Sequence, residues 1–156
     1  MERLLGLVPI RNFAHIIDNI YRSAQPLATY EYKWLGEVVG IDIIVNLRAE
    51  LDHDKQFINE FDFECHTYSV KDHEPPTIEQ ANGFINLIKD INITNNVLIH
   101  CEHGHGRTST FSVLAKIAKG MTVEEAIKDE KSRFHYHFKH HLQEKFLLDN
   151  FSKATV

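Results

Sequence analysis

The sequence predicts an α/β fold in one domain, with a central, mostly parallel sheet flanked by helices. The first observation is a set of short strand-like runs at 41–47, 63–70 and 96–100, the first of them rich in the β-branched residues typical of buried parallel strands. The second is that helical patterns separate these runs, as crossovers between parallel strands require. The third is size, because 156 residues without an internal repeat or a Pro/Gly/Ser-rich linker fit a single domain over residues 1–156.

The N-terminal part of the chain predicts a further strand and two helices. Residues 13–21 alternate loosely between apolar and polar side chains, which favours a short strand leading into the turn RSAQP at 22–26. Apolar side chains recur at helical spacing over 29–39, and Gly40 is a typical helix stop. Residues 49–60 also predict a helix.

The C-terminal half predicts a series of helices with clear N-terminal signals. Thr77 and Gln80 have the spacing of a capping box, in which each side chain accepts from the backbone N–H of the other residue. Apolar residues follow at helical spacing from about residue 78. Thr122 and Glu125 repeat the capping pattern, and the later helices are expected at 107–118, 122–131 and 134–150.

The composition narrows the classes of protein and partner. The net charge of -5 argues against a general binder of nucleic acid or anionic membrane, since those contacts need a surplus of Lys and Arg. No run approaches the roughly 18 apolar residues of a membrane span, and the N-terminus lacks a signal-peptide pattern. We therefore expect a cytoplasmic monomer that binds neither nucleic acid nor membrane. In that compartment Cys65 and Cys101 are expected to be reduced thiols.

The segment HCEHGHGRT at 100–108 carries the strongest chemical signal. A strand that stops at Cys101, a tight run with Gly104 and Gly106, and a helix that starts near Arg107 would place backbone N–H groups around one concavity. A helix N-terminus adds positive potential, so this arrangement favours a tetrahedral oxyanion such as phosphate. The arginine can donate a bidentate fork to the same anion, and the same field would stabilise the cysteine as a thiolate.

A metal site is the alternative interpretation of this segment. Its ligands would be Cys101, His103 and His105, but alternate residues of a glycine-containing loop rarely converge on one tetrahedral centre with a cationic arginine beside them. A second histidine-rich tract, HYHFKHH at 135–141, is more typical of a solvated helix face, because no carboxylate accompanies it at metal-ligand spacing. We therefore expect no metal.

The segment also resembles a known signature. HCEHGHGRT is similar, at every fixed position, to the pattern HCxxGxxR(S/T) of the cysteine-dependent protein tyrosine and dual-specificity phosphatases. Four further stretches look like successive landmarks of small, atypical dual-specificity members, namely YRSAQP at 21–26, GIDIIVNLR at 40–48, VKDHEPP at 70–76 and GMTVEEAI at 120–127. The combination is specific, whereas the cysteine–arginine spacing alone is shared with rhodaneses and arsenate reductases.

The resemblance implies a role for each residue of the segment. Cys101 would be the nucleophile that forms a phosphocysteine, and Thr108 would assist the departing thiolate in the second step. His100 would orient the loop and tune the cysteine without contacting substrate. The chemistry implied needs no cofactor. The phosphoryl oxygens would be bound by Arg107 and by the backbone amides of Glu102, His103, Gly104, His105, Gly106 and Arg107.

The reaction also needs a general acid, since a leaving alkoxide or phenoxide must be protonated. The family carries an aspartate for this role on a loop after the preceding strand. Asp72, 29 residues before Cys101, is the best match. Glu74 and His73 are the alternatives, because the sequence lacks the WPD form of that loop.

Three residues outside the segment have two interpretations each. Cys65 could form a reversible disulfide with Cys101, as in some relatives, although a buried and inert thiol is the more frequent role of a cysteine on an apolar strand. Arg22 and Arg48 could contact substrate or pair inside the protein, and we favour internal pairing.

The loop composition bears on the substrate. We predict a protein phosphatase of tyrosine or dual specificity that acts on a phosphorylated protein or a small phosphate ester. An inositol polyphosphate is the alternative, because the resembling cysteine phytases carry glutamate at the position of Glu102, and His103 and His105 can gain charge below about pH 6.5. The loop has no lysine, which disfavours phosphoinositides. A catalytically silent phosphate-binding module is the remaining hypothesis.

Overall fold

The computed structural model describes residues 8–134, 138 and 141–152. It has one five-stranded sheet with the strand order β1-β2-β5-β3-β4. Strand β1 pairs antiparallel with β2, and the remaining neighbours pair parallel, so the predicted α/β fold with a mostly parallel sheet is confirmed. The strands are β1 (Ala14–Ile17), β2 (Ile20–Ser23), β3 (Ile41–Arg48), β4 (Glu64–Val70) and β5 (Asn96–His100).

Helices cover both faces of the sheet, and their N-terminal signals behave as predicted. In both capping boxes the threonine hydroxyl accepts from the backbone N–H three residues later, at 3.0 Å for Thr77 and 3.1 Å for Thr122. None of the helices in the described part of the chain has the length and apolar character needed to cross a bilayer. The helices are α1 (Thr29–Trp34), α2 (Ile58–Phe61), α3 (Ile78–Asp90), α4 (Gly106–Ala118), α5 (Val123–Arg133) and α6 (His141–Phe151).

The helix predicted over 29–39 is present, with a change of pitch. It is α-helical as α1, continues as a π-helical turn over Leu35–Val39, and ends at Gly40. Gly40 has φ of +77°, a left-handed conformation in which a Cβ is disfavoured, so the sequence identified both the helix and the reason that it stops.

Two predictions in the N-terminal half were wrong. Residues 13–21 form not one strand but most of a hairpin, because Asp18 takes φ of +49° and turns the chain between β1 and β2. Residues 49–60 contain only a 3-10 turn over Asp54–Gln56 and the start of the four-residue helix α2. A longer helix does not form here because Asp54 is drawn into the protein interior, where it is 2% exposed, and bonds tertiary partners.

The last predicted helix, over 134–150, is present only in part among the described residues. Phe134 and Phe138 are not helical, α6 spans His141–Phe151, and residues 135–137 and 139–140 lie outside the described residues. Phe134 has an extended backbone, with φ of −118° and ψ of 123°, and so ends α5. Its ring packs over the guanidinium of Arg22 at 4.2 Å from Cζ to the ring centroid, and this contact takes the chain out of the helical path.

Alternating side chains of the central strands divide the core into two layers. Val45, Val97 and Ile99 pack in the larger layer with the helices α3, α4 and α5, while Ile44 and Leu98 pack in the smaller layer with α1 and the 3-10 turn. Burial on both faces is the environment expected for parallel strands.

The sheet places the cysteine segment at its centre. β5 is the middle strand of the five, and it ends at His100, directly before Cys101. The carboxyl ends of β2, β3 and β4 lie beside it, so the loops after those strands surround the same point. This edge is where open α/β sheets bind ligands.

Candidate active site

The loop between β5 and α4, residues 101–105, is called the cysteine loop below. Gly104 allows it to turn, because its φ is +79° and an added Cβ would lie 2.8 Å from the backbone nitrogen of Ala24 and 2.9 Å from the backbone of Ser23. A side chain at this position is therefore excluded by the RSAQP turn. The backbone N–H of Gln25 donates to the carbonyl of Glu102 at 3.1 Å, which joins the two loops.

Cys101 lies buried at the base of the pocket that this loop forms. Its side chain is 3% exposed, and Sγ accepts a hydrogen bond from the hydroxyl of Thr108 at 2.9 Å. Thr108 belongs to the first turn of α4, whose first N–H groups have no acceptor within the helix and carry the positive end of the helix dipole. The hydroxyl and the helix N-terminus both favour the sulfur as an anion.

Arg107 is held in place by the loops after β3 and β4. Its Nη1 donates to Glu50 Oε1 at 2.8 Å and to the carbonyl of Val70 at 2.8 Å, and its Nη2 donates to Glu50 Oε2 at 3.0 Å. Asp72 Oδ1 lies 3.7 Å from Nη2. Burial alone would lower the pKa of Arg107, but the hydrogen bond to Glu50 and the charges of Cys101, Glu50 and Asp72 outweigh it and raise the pKa, so the guanidinium stays charged.

Glu50 is a site residue that the sequence analysis missed. It bridges two arginines, because its Oε2 also accepts from Nε of Arg48 at 2.9 Å. The hydrogen bond from Arg107 is the main reason that the pKa of Glu50 falls to about 2. The carboxylate is therefore ionised at neutral pH and keeps a fixed, bidentate hold on Arg107. The only sequence signal for it was its place just after the landmark GIDIIVNLR.

Most of the predicted site residues line this pocket. Asp72 is half exposed at its rim, whereas Glu74 is not among the described residues that line it. The backbone of His73 takes φ of +72° in the turn, and its Nε2 lies 3.4 Å from Oδ2 of Asp72. Of the three candidates for the general acid, Asp72 is thus the one at the pocket. The described lining consists of Asp72, Cys101, Glu102, His103, His105, Gly106 and Arg107.

Arg22 supports the cysteine loop from behind and pairs internally, as expected. It is 2% exposed, and its Nη2 donates to the carbonyl of Gly104 at 3.0 Å and to the hydroxyl of Ser109 at 2.9 Å. Its Nη1 donates to Glu130. Arg48 also pairs internally, with Glu50, and is not among the described residues that line the pocket.

Glu130 completes this buried support. One of its oxygens accepts from Nζ of Lys116 at 2.8 Å and from the hydroxyl of Ser112 at 2.7 Å, and the side chain is fully buried. Burial would raise the pKa of Glu130, but the charges of Arg22 and Lys116 outweigh it and hold the pKa below its usual value. Neither Glu130 nor Lys116 was foreseen, since nothing in their local pattern on a helix distinguishes them from surface charges.

His100 also has a partner that the sequence did not reveal. Its Nε2 lies 2.5 Å from Oδ2 of Asp54, and both side chains are buried. Oδ1 of Asp54 accepts from the hydroxyl of Tyr32 at 2.6 Å and from Nε2 of Gln25 at 3.0 Å. These bonds link the last residue of β5 to the 3-10 turn, to α1 and to the RSAQP turn.

Cys65 is placed where it cannot form a disulfide with Cys101. In the register of the sheet it lies level with Ile44 and Leu98, two strands from β5, and it packs in the smaller core layer. Two strand spacings of about 4.8 Å and three residues of about 3.3 Å separate it from Cys101, beyond the roughly 7 Å limit between bridged Cα atoms. Burial is the main reason that the pKa of the Cys65 thiol rises to about 12, which makes it an unreactive thiol.

The described residues provide no obvious metal site. Within them, no group of three or more His, Cys, Asp or Glu side chains is arranged to hold a metal ion. Most of the histidine-rich tract, residues 135–137 and 139–140, lies outside the described residues, so its interpretation as a solvated helix face stays a prediction.

The fold matches solved structures of cysteine-dependent phosphatases. Tk-PTP in its active form aligns with a TM-score of 0.73 at 22% identity, over 88% of this chain and 93% of that one. The catalytic core of the PP-IP phosphatase Siw14 from S. cerevisiae aligns with a TM-score of 0.74 at 17% identity, over 93% of this chain and 88% of that one. PTPMT1 in complex with PI(5)P aligns with a TM-score of 0.70 at 15% identity, over 88% of this chain and 95% of that one. These likenesses define the class of fold, that of the protein tyrosine phosphatase-like enzymes.

The sequence itself identifies the family. The model of a family described as "DSP-PTPase phosphatase fused to NAD+ Kinase" matches residues 15–149. The chain belongs to this family of dual-specificity-type phosphatases, which confirms the resemblance drawn from HCEHGHGRT and makes the protein a phosphatase. A comparison with curated proteins returned no match.

Proposed function

We propose that this protein hydrolyses phosphate monoesters of proteins through a phosphocysteine intermediate, with tyrosine or dual specificity. The observation that carries the proposal is the meeting of a nucleophile, an anion receptor and an acid in one pocket. Cys101 accepts a hydrogen bond from Thr108 there, Arg107 is fixed 3.7 Å from Asp72, and the N-terminus of α4 adds positive potential.

In the first step the thiolate of Cys101 attacks phosphorus. A sulfur–phosphorus bond forms, the bond from phosphorus to the ester oxygen breaks, and Asp72 gives its proton to that oxygen, so that a neutral alcohol or phenol leaves. Arg107 and the backbone N–H groups of residues 102–107 bind the equatorial phosphoryl oxygens, whose charge they stabilise in the transition state.

In the second step water attacks the phosphocysteine. Asp72, now a carboxylate, takes the proton from the water, the sulfur–phosphorus bond breaks, and inorganic phosphate forms. The hydroxyl of Thr108 donates to the departing sulfur and stabilises it as a thiolate, which the distance of 2.9 Å between Oγ1 and Sγ supports. The thiolate is then ready for the next substrate, and no cofactor enters either step.

The charges beside the pocket favour a protein substrate. A second concavity next to it is lined by Ala49, Glu50, Lys71, Asp72 and Glu102, which carry three carboxylates and one ammonium. Glu50 is already paired with Arg48 and Arg107, so the groups that flank the reacting phosphate would meet Lys71, Asp72 and Glu102, a lining without the surplus of cations that several phosphates need. A phosphorylated side chain with neutral or basic neighbours fits this surface better than a ring that bears several phosphates.

An inositol polyphosphate is the second candidate, supported by one feature. His103 and His105 both line the pocket, and imidazoles that carry a proton would offset part of the negative charge. Siw14, which shares the fold, is a PP-IP phosphatase. The carboxylates of Asp72 and Glu102, with Lys71 as the one cation in the described lining beside the pocket, make this the weaker candidate. We further propose a cytoplasmic monomer that works without a metal.

The test compares the wild type with Cys101→Ser, Asp72→Ala and Glu74→Ala in excess chelator from pH 5 to 8. The substrates are an activated aryl phosphate, phenyl phosphate and a phosphotyrosine peptide. Cys101→Ser should release no phosphate, and Asp72→Ala should lose about 100-fold or more in kcat on phenyl phosphate, whose leaving group needs protonation most. The loss should be smaller on the activated ester.

Glu74→Ala is the matched control and should retain wild-type kcat. Equal losses in Asp72→Ala on both aryl esters would argue against its role as general acid. A wild-type protein that binds phosphopeptide but releases no phosphate would contradict the whole proposal and leave a silent binding module. A far higher kcat/KM on inositol hexakisphosphate than on any phosphopeptide would move the assignment to the second candidate.

A further inference from the structure

A buried acid–imidazole pair lies directly behind the cysteine loop. Asp54 is 2% exposed and His100 is not exposed, and Oδ2 of Asp54 lies 2.5 Å from Nε2 of His100. Oδ1 of the same carboxylate accepts from Tyr32 and Gln25, so each of its oxygens has a donor. Fixed donors on both oxygens leave the carboxylate one orientation, and Nε2 of His100 must carry a proton to complete the set.

The charge of this pair follows from its surroundings. Burial would raise the pKa of Asp54, but the charge of His100 and the hydrogen bonds from His100, Tyr32 and Gln25 outweigh it and hold the pKa below its usual value. An ionised carboxylate in the interior needs a compensating positive charge. Among the described contacts of Asp54, His100 is the side chain that can supply it, because Tyr32 and Gln25 are neutral donors.

The other ring nitrogen of His100, Nδ1, indicates what a positive charge on this ring could do. Nδ1 is buried without a hydrogen-bond partner among the described residues. The residue immediately precedes Cys101, so a second proton on the ring, at the nitrogen that Asp54 does not contact, would place positive charge near the base of the cysteine loop. Such a charge favours the anionic form of a nearby sulfur.

We propose that Asp54 is a positioning residue that keeps His100 doubly protonated and thereby increases the fraction of Cys101 present as the thiolate. The inference rests on the proposed function for its biological meaning, since the thiolate is the nucleophile of that reaction. The 3-10 turn over Asp54–Gln56 contributes no residue to the described lining of the pocket, and the proposal gives it a part in catalysis through His100.

Two of the titratable groups around the pair, Tyr32 and Cys65, stay neutral in the working range. The pKa of Tyr32 is raised by burial and by Asp54, and that of Cys65 is raised to about 12, so both stay neutral between pH 5 and 8. The charge on the pair in that range therefore belongs to Asp54 and His100. The neighbouring titratable or charged groups are Glu31, Tyr32, Asp52, His53, Cys65 and, through Gln25, Arg48.

The test measures the rate of alkylation of Cys101 by iodoacetamide between pH 4 and 9, followed by the mass of its peptide. Asp54→Asn keeps the shape but removes the charge, and the midpoint of its profile should lie about one pH unit or more above that of the wild type. At a pH below both midpoints, the alkylation rate should fall roughly tenfold. Tyr32→Phe removes a hydrogen bond but no charge, and its midpoint should stay within a few tenths of a unit.

A folded Asp54→Asn variant with the wild-type midpoint would overturn the proposal, even if its kcat fell, since that is the result of a merely structural role. The 15N spectrum of His100 in the wild type gives a second readout that requires no variant. It should show a doubly protonated ring at pH 7, and a neutral ring would also overturn the proposal. Neither measurement involves phosphate release, so a failure of the proposed hydrolysis would be recognised separately in the turnover assay.

Discussion

The two sides of the cysteine loop are built in opposite ways. Behind it, Arg22, Glu130 and His100 are at most 2% exposed, and each bonds a charged partner. In front, Asp72 and Glu102 are 51% and 43% exposed, and their contacts with cations are long, at 3.7 and 3.9 Å. The rear therefore fixes the shape of the loop, while the front remains able to exchange its partners for a substrate. Substitutions in the rear cluster formed by Arg22, Lys116 and Glu130 should mainly change stability, and those in front of the loop should mainly change kinetics.

The largest effect is expected from Glu130→Ala. The change leaves Arg22 and Lys116 in the interior without their carboxylate, and breaking a buried charge network in this way costs about 3–5 kcal/mol. Urea unfolding measures the loss. Glu74→Ala, at an exposed turn, should stay within about 0.5 kcal/mol of the wild type. A loss below about 1 kcal/mol in Glu130→Ala would contradict the idea that the rear cluster holds the fold together.

Gly104→Ala should have the next largest effect. The residue has φ of +79°, and the new Cβ would approach backbone atoms of Ser23 and Ala24 at 2.8–2.9 Å, so the cysteine loop and the RSAQP turn must separate. We expect a loss of about 1–3 kcal/mol in the free energy of unfolding, together with reduced turnover. Gly83→Ala is the matched control.

Gly83 lies inside α3, where the nearest atom to an added Cβ is a ring carbon of Tyr68 at 3.9 Å. This control should therefore stabilise the protein by about 0.5–1 kcal/mol, since alanine is the better helix former. Unchanged turnover in Gly104→Ala would show that the loop can shift without harm.

In front of the loop, Glu50→Gln should affect kinetics more than stability. The amide cannot accept from both Nη atoms of Arg107, so the guanidinium loses its bidentate partner and its fixed orientation. We expect kcat/KM on an aryl phosphate to fall about tenfold, equivalent to about 1.4 kcal/mol. The free energy of unfolding should change by less than about 1 kcal/mol, because Glu50 is 40% exposed. A change confined to unfolding would place Glu50 with the rear cluster instead.

The smallest expected effect is a change of stability at acidic pH. The pKa of Glu50 falls from 4.5 to about 2 on folding, so its contribution to stability is fully present above about pH 4.5 and is lost as the pH falls toward 2. The difference in unfolding free energy between wild type and Glu50→Gln should therefore be constant from pH 5 to 8 and shrink below pH 4.5. Solvent screening of this half-exposed carboxylate keeps the difference small. If this difference in unfolding free energy grew as the pH fell, its pH dependence would have the opposite sign and would contradict the pairing of Glu50 with Arg107.

The sequence predicted what depends on local pattern. Capping boxes at Thr77 and Thr122 and the stop at Gly40 involve residues close together in the chain, and all three are present in the structure. The phosphate-binding segment at 100–108 was predicted because its cysteine, glycines, arginine and threonine lie close together in the chain. The contact between Thr108 and Cys101 spans only seven residues.

The partners that hold the site were missed because they come from distant parts of the chain. Asp54 lies 46 residues from His100, Glu50 lies 57 from Arg107, and Glu130 lies 108 from Arg22. Each is an acidic residue in a segment that looks solvent-exposed, and only the packing of the sheet and helices shows which are buried. The helix wrongly predicted over 49–60 has the same origin, since the demand for Asp54 in the interior overrides the local pattern.

The distance between the two cysteines has a consequence for how Cys101 recovers from oxidation. The thiolate is the form of cysteine that oxidants convert to a sulfenic acid, and many proteins reverse this state by forming a disulfide with a second cysteine of the same chain. The chain has only two cysteines, and Cys65 packs in the other core layer, two strands away from β5. Recovery of an oxidised Cys101 would therefore depend on a thiol from outside these 156 residues.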